Sequence, residues 1–189
     1  MNLAFKTELS FFEDCFAQTE EASLRILQSS TDIKKLEIVD FNAEEDLTYD
    51  HWVCSITVGL GEAQVFIKAH FGSASAREIA SKELRLEDKK DMETSVLIDY
   101  MREYLNRVMG HIKGRYQSTD DTVSVPNITP SYDQGLSEPE ENMDNANTRR
   151  WKVKWPGSQV VLTCYIVPTG DVTSIEANED QEKDKVNFL

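Results

Sequence analysis

Cysteine is scarce in this sequence. Only Cys15, Cys54 and Cys164 occur, far apart, without CxxC spacing and in apolar stretches, which excludes a disulfide framework and a zinc site and predicts buried free thiols. No apolar run approaches the roughly 20 residues of a membrane-spanning helix. The opening Met1-Asn-Leu-Ala-Phe-Lys6 lacks the basic start and apolar centre of a secretion signal, so the cytoplasm is the expected compartment. Basic residues are in the minority, 20 against 34 acids in 189 residues, for a formal net charge of −14. Such a surface repels phosphate backbones, so neither nucleic acid nor an anionic membrane is an expected partner. The three histidines, His51, His70 and His111, show no metal-ligand spacing, and no metal site is expected. The length suits one domain, expected over residues 1–176, with a charged tail over 177–189.

What is present reads as an α+β chain. Phe5, Leu9, Phe12, Phe16, Leu24 and Leu27 recur at steps of three and four, predicting an amphipathic helix over residues 3–28. A first strand is expected over 36–41. Strict alternation from Trp52 to Leu60, a turn at 59–62 and a second run over 65–71 predict an antiparallel hairpin. Ser75 and Glu78 have capping-box spacing ahead of a short helix. After the charged break 87–90 comes a longer helix over 91–116, expected to stop near Gly114. Residues 123–129 predict another strand, with Pro126 and Pro130 pointing to an edge. The polar, acidic stretch 134–148 reads as a mobile loop. Trp151, Val153 and Trp155, the Pro156-Gly157 turn and residues 160–167 predict a closing hairpin. Helix plus three strands thus occurs twice, which suggests a duplicated helix-plus-antiparallel-strands unit with the helices packed on a mixed sheet.

The long helix carries the chemistry. Projected at ~100° per residue with Asp99 as zero, Glu103 falls near ~40°, Asn106 near ~−20° and Gly110 near ~20°. Leu97, Met101, Tyr104, Val108 and Ile112 occupy the opposite side. Asn and Gly are weak helix formers, Gly by roughly 1 kcal/mol relative to Ala, so an exposed stripe containing both wants a reason. A missing side chain at Gly110 allows another backbone to approach. A carboxylate and a carboxamide three residues apart can together grip a cation and orient a water. Arg102 and Lys113 flank the stripe, either as charges that keep the surface soluble or as candidate contacts for an acidic partner. Ser73 and Ser75 read as helix caps rather than nucleophiles, and His111 lies at the edge of the stripe.

The pattern Asp99-x-x-x-Glu103-x-x-Asn106-x-x-x-Gly110 resembles the signature of the CheC, CheX and FliY chemotaxis phosphatases. The likeness runs from Phe71-Gly-Ser-Ala-Ser-Ala-Arg-Glu-Ile-Ala through this helix to Val123-Ser-Val-Pro126. The resemblance implies a CheC-like fold and an enzyme that hydrolyses the aspartyl-phosphate of a CheY-like response regulator. Glu103 would engage a lysine of the regulator and Asn106 would position the attacking water. Asp99, Gly110, Arg102 and Lys113 would form the partner-binding face. Magnesium is expected on the regulator, with no cofactor of the chain's own. In the first helix, Glu8, Glu13, Glu20 and Glu21 are followed three positions later by Phe11, Phe16, Ser23 and Leu24, never by Asn. The resemblance therefore implies a CheX-like member with one active helix, and a homodimer. Tyr104 and Leu105, bulky residues between Glu103 and Asn106, together with the acidic insert, motivate the alternative of a non-catalytic dimeric module that binds a receiver domain or another signalling protein.

Overall fold

The computed structural model describes residues 2–41, 51–85, 92–116, 127–130 and 147–178. In chain order these form β1 (Asn2–Ala4), α1 (Glu8–Ser30), β2 (Glu37–Asp40), β3 (His51–Leu60), β4 (Ala63–Gly72), α2 (Ser73–Glu83), α3 (Thr94–Arg115), β5 (Asn127–Pro130), β6 (Asn147–Trp155), β7 (Ser158–Pro168) and β8 (Glu176–Asn178). The charged break 87–90, the strand residues 123–126, most of the acidic insert (134–146) and the tail beyond Asn178 lie outside the described residues.

The fold is α+β, with one difference from expectation: every described ladder is antiparallel, so the sheet is not mixed. Six strands lie in the order β2-β6-β7-β4-β3-β5, and β1 pairs with β8 in a separate two-stranded sheet. Exchanging β2 with β5, β3 with β6 and β4 with β7 turns this order into its own reverse. The repeated helix-plus-three-strands order is therefore also a pseudo-two-fold in the sheet, with the β4–β7 pair at its centre.

Alternation decides which face of the sheet meets the helices. Val65, Ile67, Ala69 and Phe71 on β4, with Leu162, Cys164 and Ile166 on β7, pack into one core with residues of all three helices. Each such fully buried aliphatic or aromatic side chain contributes about 1.5–3 kcal/mol, enough to fix the strand register, since a one-residue slip would turn the whole set outward. Cys15, Cys54 and Cys164 are buried free thiols. Gly157 sits at φ +85° in the β6–β7 turn, a backbone conformation that favours glycine.

Four local expectations are corrected. The first helix begins at Glu8, not residue 3, because Thr7 caps it: its hydroxyl accepts from the Ser10 amide at 3.2 Å while the Thr7 amide donates to Ser10 Oγ. Its buried face is also rotated, so that Leu9 is 64% exposed while Phe11 and Cys15 are buried. Ser75 does not cap α2. Gly72 holds the N-cap position without a side-chain bond, and Ser75 Oγ lies 2.7 Å from Ser158 Oγ, tying the helix to β7. Residues 147 and 148 belong to β6 rather than to the insert.

Candidate functional site

α3 is held by its inner face. Leu97, Met101, Tyr104, Leu105, Val108, Met109 and Ile112 are all buried. Tyr104 OH donates to the carbonyl of Ser23 on α1 at 3.0 Å, while Trp151 Nε1 donates to Ser23 Oγ at 3.1 Å. The first bond fixes the rotation of α3 against α1, and the second ties α1 to β6. Bidentate pairing of Arg115 with Asp14, at 2.8 and 3.0 Å, fastens the last turn of α3 to α1.

That rotation presents Asp99, Glu103, Asn106 and Gly110 on the outer face, all four exposed. The Asp99 side chain is 74% exposed and that of Glu103 53%. A Cβ built on Gly110 would meet nothing within 4 Å, so the protein's own packing does not require glycine there. Tyr104 and Leu105, although adjacent to the acid and amide in sequence, point into the core and do not stand over the stripe. Arg102 is half-buried and donates to Asp99 at 3.2 Å, and Lys113 is half-buried on the same helix.

Two residues overlooked in the sequence join the site. Arg107 Nε donates to Glu103 Oε1 at 3.0 Å, and Arg107 Nη1 donates to Glu83 Oε1 at 2.9 Å. Glu83 Oε2 accepts from the Tyr100 hydroxyl. Burial opposes the charge on Arg107, but its bonds to Glu103 and Glu83 outweigh that effect and leave its pKa raised. Burial, and then the bond to Glu83, push the Tyr100 phenol up, so it stays a donor. The four-residue spacing of Glu103 and Arg107 was a signal available in the sequence. Glu83, 24 residues away on α2, gave none.

His111 is turned away from the stripe. Its Nδ1 lies 2.7 Å from Arg25 Nη2 and its Nε2 3.3 Å from Gln18 Oε1, both on α1. Burial and the neighbouring Arg25 lower its pKa, which suits a neutral ring accepting from Arg25 and donating to Gln18. Among the described residues no cluster of three or more His, Cys, Asp and Glu side chains is placed to hold a metal ion. Nor is any described helix long and apolar enough to cross a membrane.

No protein-family model matches the chain, and no curated protein matches it. Solved structures do. A CheC-like superfamily protein from Shewanella sp. PV-4 superposes with a TM-score of 0.63 at 14% identity, covering 81% of this chain and 97% of its own. The chemotaxis protein CheX from Vibrio vulnificus gives 0.61 at 11%, covering 81% and 96%. CheX from Borrelia burgdorferi, solved as a CheX–CheY–BeF3–Mg2+ complex, gives 0.58 at 12%, covering 82% and 98%. The chain thus has the CheC-like fold, shared with these CheC-like and CheX proteins.

Proposed function

We propose that this protein is a CheX-like phosphatase that accelerates hydrolysis of the aspartyl-phosphate of a CheY-like receiver domain. The observation that carries the reading is the joint exposure of Glu103 and Asn106 on one stripe of α3, within a CheC-like fold. The Borrelia CheX of the same fold was solved with CheY, which supports a receiver as partner.

An acyl phosphate is already labile, and in-line attack needs mainly an oriented nucleophile and a neutralised phosphoryl group. The carboxamide of Asn106 offers both a donor and an acceptor, and so can hold a water in one orientation. Glu103 is the docking acid, a carboxylate for an ammonium on the receiver. Asp99, Gly110, Arg102 and Lys113 shape the docking face, Gly110 by leaving room for a partner backbone. Magnesium is expected on the receiver, as its own ligand. Each tenfold of acceleration requires only about 1.4 kcal/mol. The burial of Tyr104 and Leu105 removes one motive for the non-catalytic alternative, since neither blocks the stripe.

The direct test mixes the protein with phosphorylated CheY-like receivers and follows phosphate release. Acceleration over the receiver's own decay is expected. Binding without acceleration would favour the non-catalytic module, and neither binding nor acceleration across several receivers would remove both. The same reading takes the protein as cytoplasmic and homodimeric. A light-scattering mass twice that of one chain is expected, and the mass of a single chain would contradict the dimer.

A further inference from the structure

Glu83 ends α2, where the last carbonyls of the helix already carry partial negative charge, so its carboxylate needs donors. Among the described residues two supply them, Arg107 at 2.9 Å and the Tyr100 hydroxyl. Arg107 is thereby anchored from behind and holds its other edge on Glu103 Oε1 at 3.0 Å. Exposure rises along the series, from 19% for Glu83 through 32% for Arg107 to 53% for Glu103, so a supported inner pair orients an outer carboxylate. Among the described residues Arg107 is the donor to Glu103, whose side chain is still 53% exposed. Two carboxylates and one guanidinium leave one net negative charge on the group.

We propose that Glu83 and Arg107 are positioning residues for Glu103: Arg107 fixes the carboxylate, and Glu83 cancels the charge of Arg107 so that Glu103 still attracts a cation. Without Glu83, Arg107 would neutralise the acid it orients. The inference rests on the proposed docking of a receiver ammonium at Glu103, and it adds that this docking is tuned from α2, a helix outside the signature.

Magnitudes favour positioning over competition. An exposed i,i+4 ion pair is worth only about 0.3–0.5 kcal/mol, so Arg107 competes weakly with an incoming ammonium. Ordering a long, mobile side chain at an interface costs about 0.5–1.5 kcal/mol, part of which a Glu103 already paired with Arg107 avoids.

The test is steady-state kinetics on a phosphorylated receiver with Glu83→Gln, Arg107→Gln and the double variant. Glu83→Gln keeps a hydrogen-bonding side chain but takes the net charge of the group to zero. It should raise KM about threefold to tenfold, with kcat within about twofold and more effect at low salt. Adding Arg107→Gln restores one net negative charge and should recover part of the lost affinity, a reversal that a merely structural role would not produce. Arg107→Lys serves as an independent variant: it keeps the charge but cannot fork between two carboxylates, and should raise KM about twofold to fivefold. A KM within twofold of wild type for Glu83→Gln, no recovery in the double variant, or an unchanged KM for Arg107→Lys would each overturn the inference while leaving the proposed phosphatase standing. A wild-type protein inert towards every receiver would overturn both.

Discussion

Tyr104 lies between Glu103 and Asn106 in sequence, yet its ring is buried and its hydroxyl donates to Ser23 O, so bulk in the signature gap need not mean bulk at the site. Buried polar side chains elsewhere follow the same local logic. Thr19 and Ser23 on the inner face of α1 return their hydroxyls to backbone carbonyls, Cys15 O and Glu20 O, both at 2.7 Å. His70 is the residue that should govern acid stability. It is 3% exposed on β4, and burial, with Lys68 and then Arg150 nearby, lowers its pKa to about 4. A histidine held neutral in the folded state takes up a proton more readily once unfolded. Its contribution is therefore intact above the unfolded value near 6.5 and falls away as pH drops towards 4, by roughly 2–3 kcal/mol at the low end. Urea unfolding of wild type and His70→Leu between pH 7 and pH 4.5 should show a steeper loss for wild type. Equal slopes would contradict the assignment.

At the scale of elements, α3 was the most legible part of the sequence. Its 3.6-residue period separates the seven buried positions from the exposed stripe, and the stripe stands outward as the projection required. The start of α1 and the choice of Phe11 over Leu9 were less legible, because adjacent apolar residues allow more than one rotation and tertiary packing selects among them. The role of Ser75 is hidden from the sequence for a similar reason: a capping-box spacing is local, whereas its bond to Ser158 spans 83 residues. Gly110 offers a test in which stability and function should part. With open space where a Cβ would go, Gly110→Ala should stabilise α3 by about 0.5–1 kcal/mol. If a receiver backbone approaches that position, the same change should weaken docking. Thermal melts paired with receiver titrations would show it; unchanged receiver affinity would remove the close approach.

For the whole molecule, the repeated helix-plus-three-strands order was readable, but the sheet was not. The pairing of β4 with β7 and of β2 with β6 joins residues about a hundred apart, and no local pattern specifies partners at that range. The antiparallel sense of each ladder, and the pseudo-two-fold that makes α1 and α3 counterparts, emerge only from the assembled order. Within that symmetry the sequence is asymmetric: two counterpart helices pack side by side, and of the two α3 alone carries an acid followed three residues later by an amide. The central claim is that the Asn106 amide of this one helix does the orienting in phosphate loss. Phosphate release from a phosphorylated receiver, measured with wild type and Asn106→Ala, tests it most directly. The variant should melt at the wild-type temperature, still bind the receiver, and lose about a hundredfold of the acceleration or more. An Asn106→Ala protein as active as wild type would contradict it.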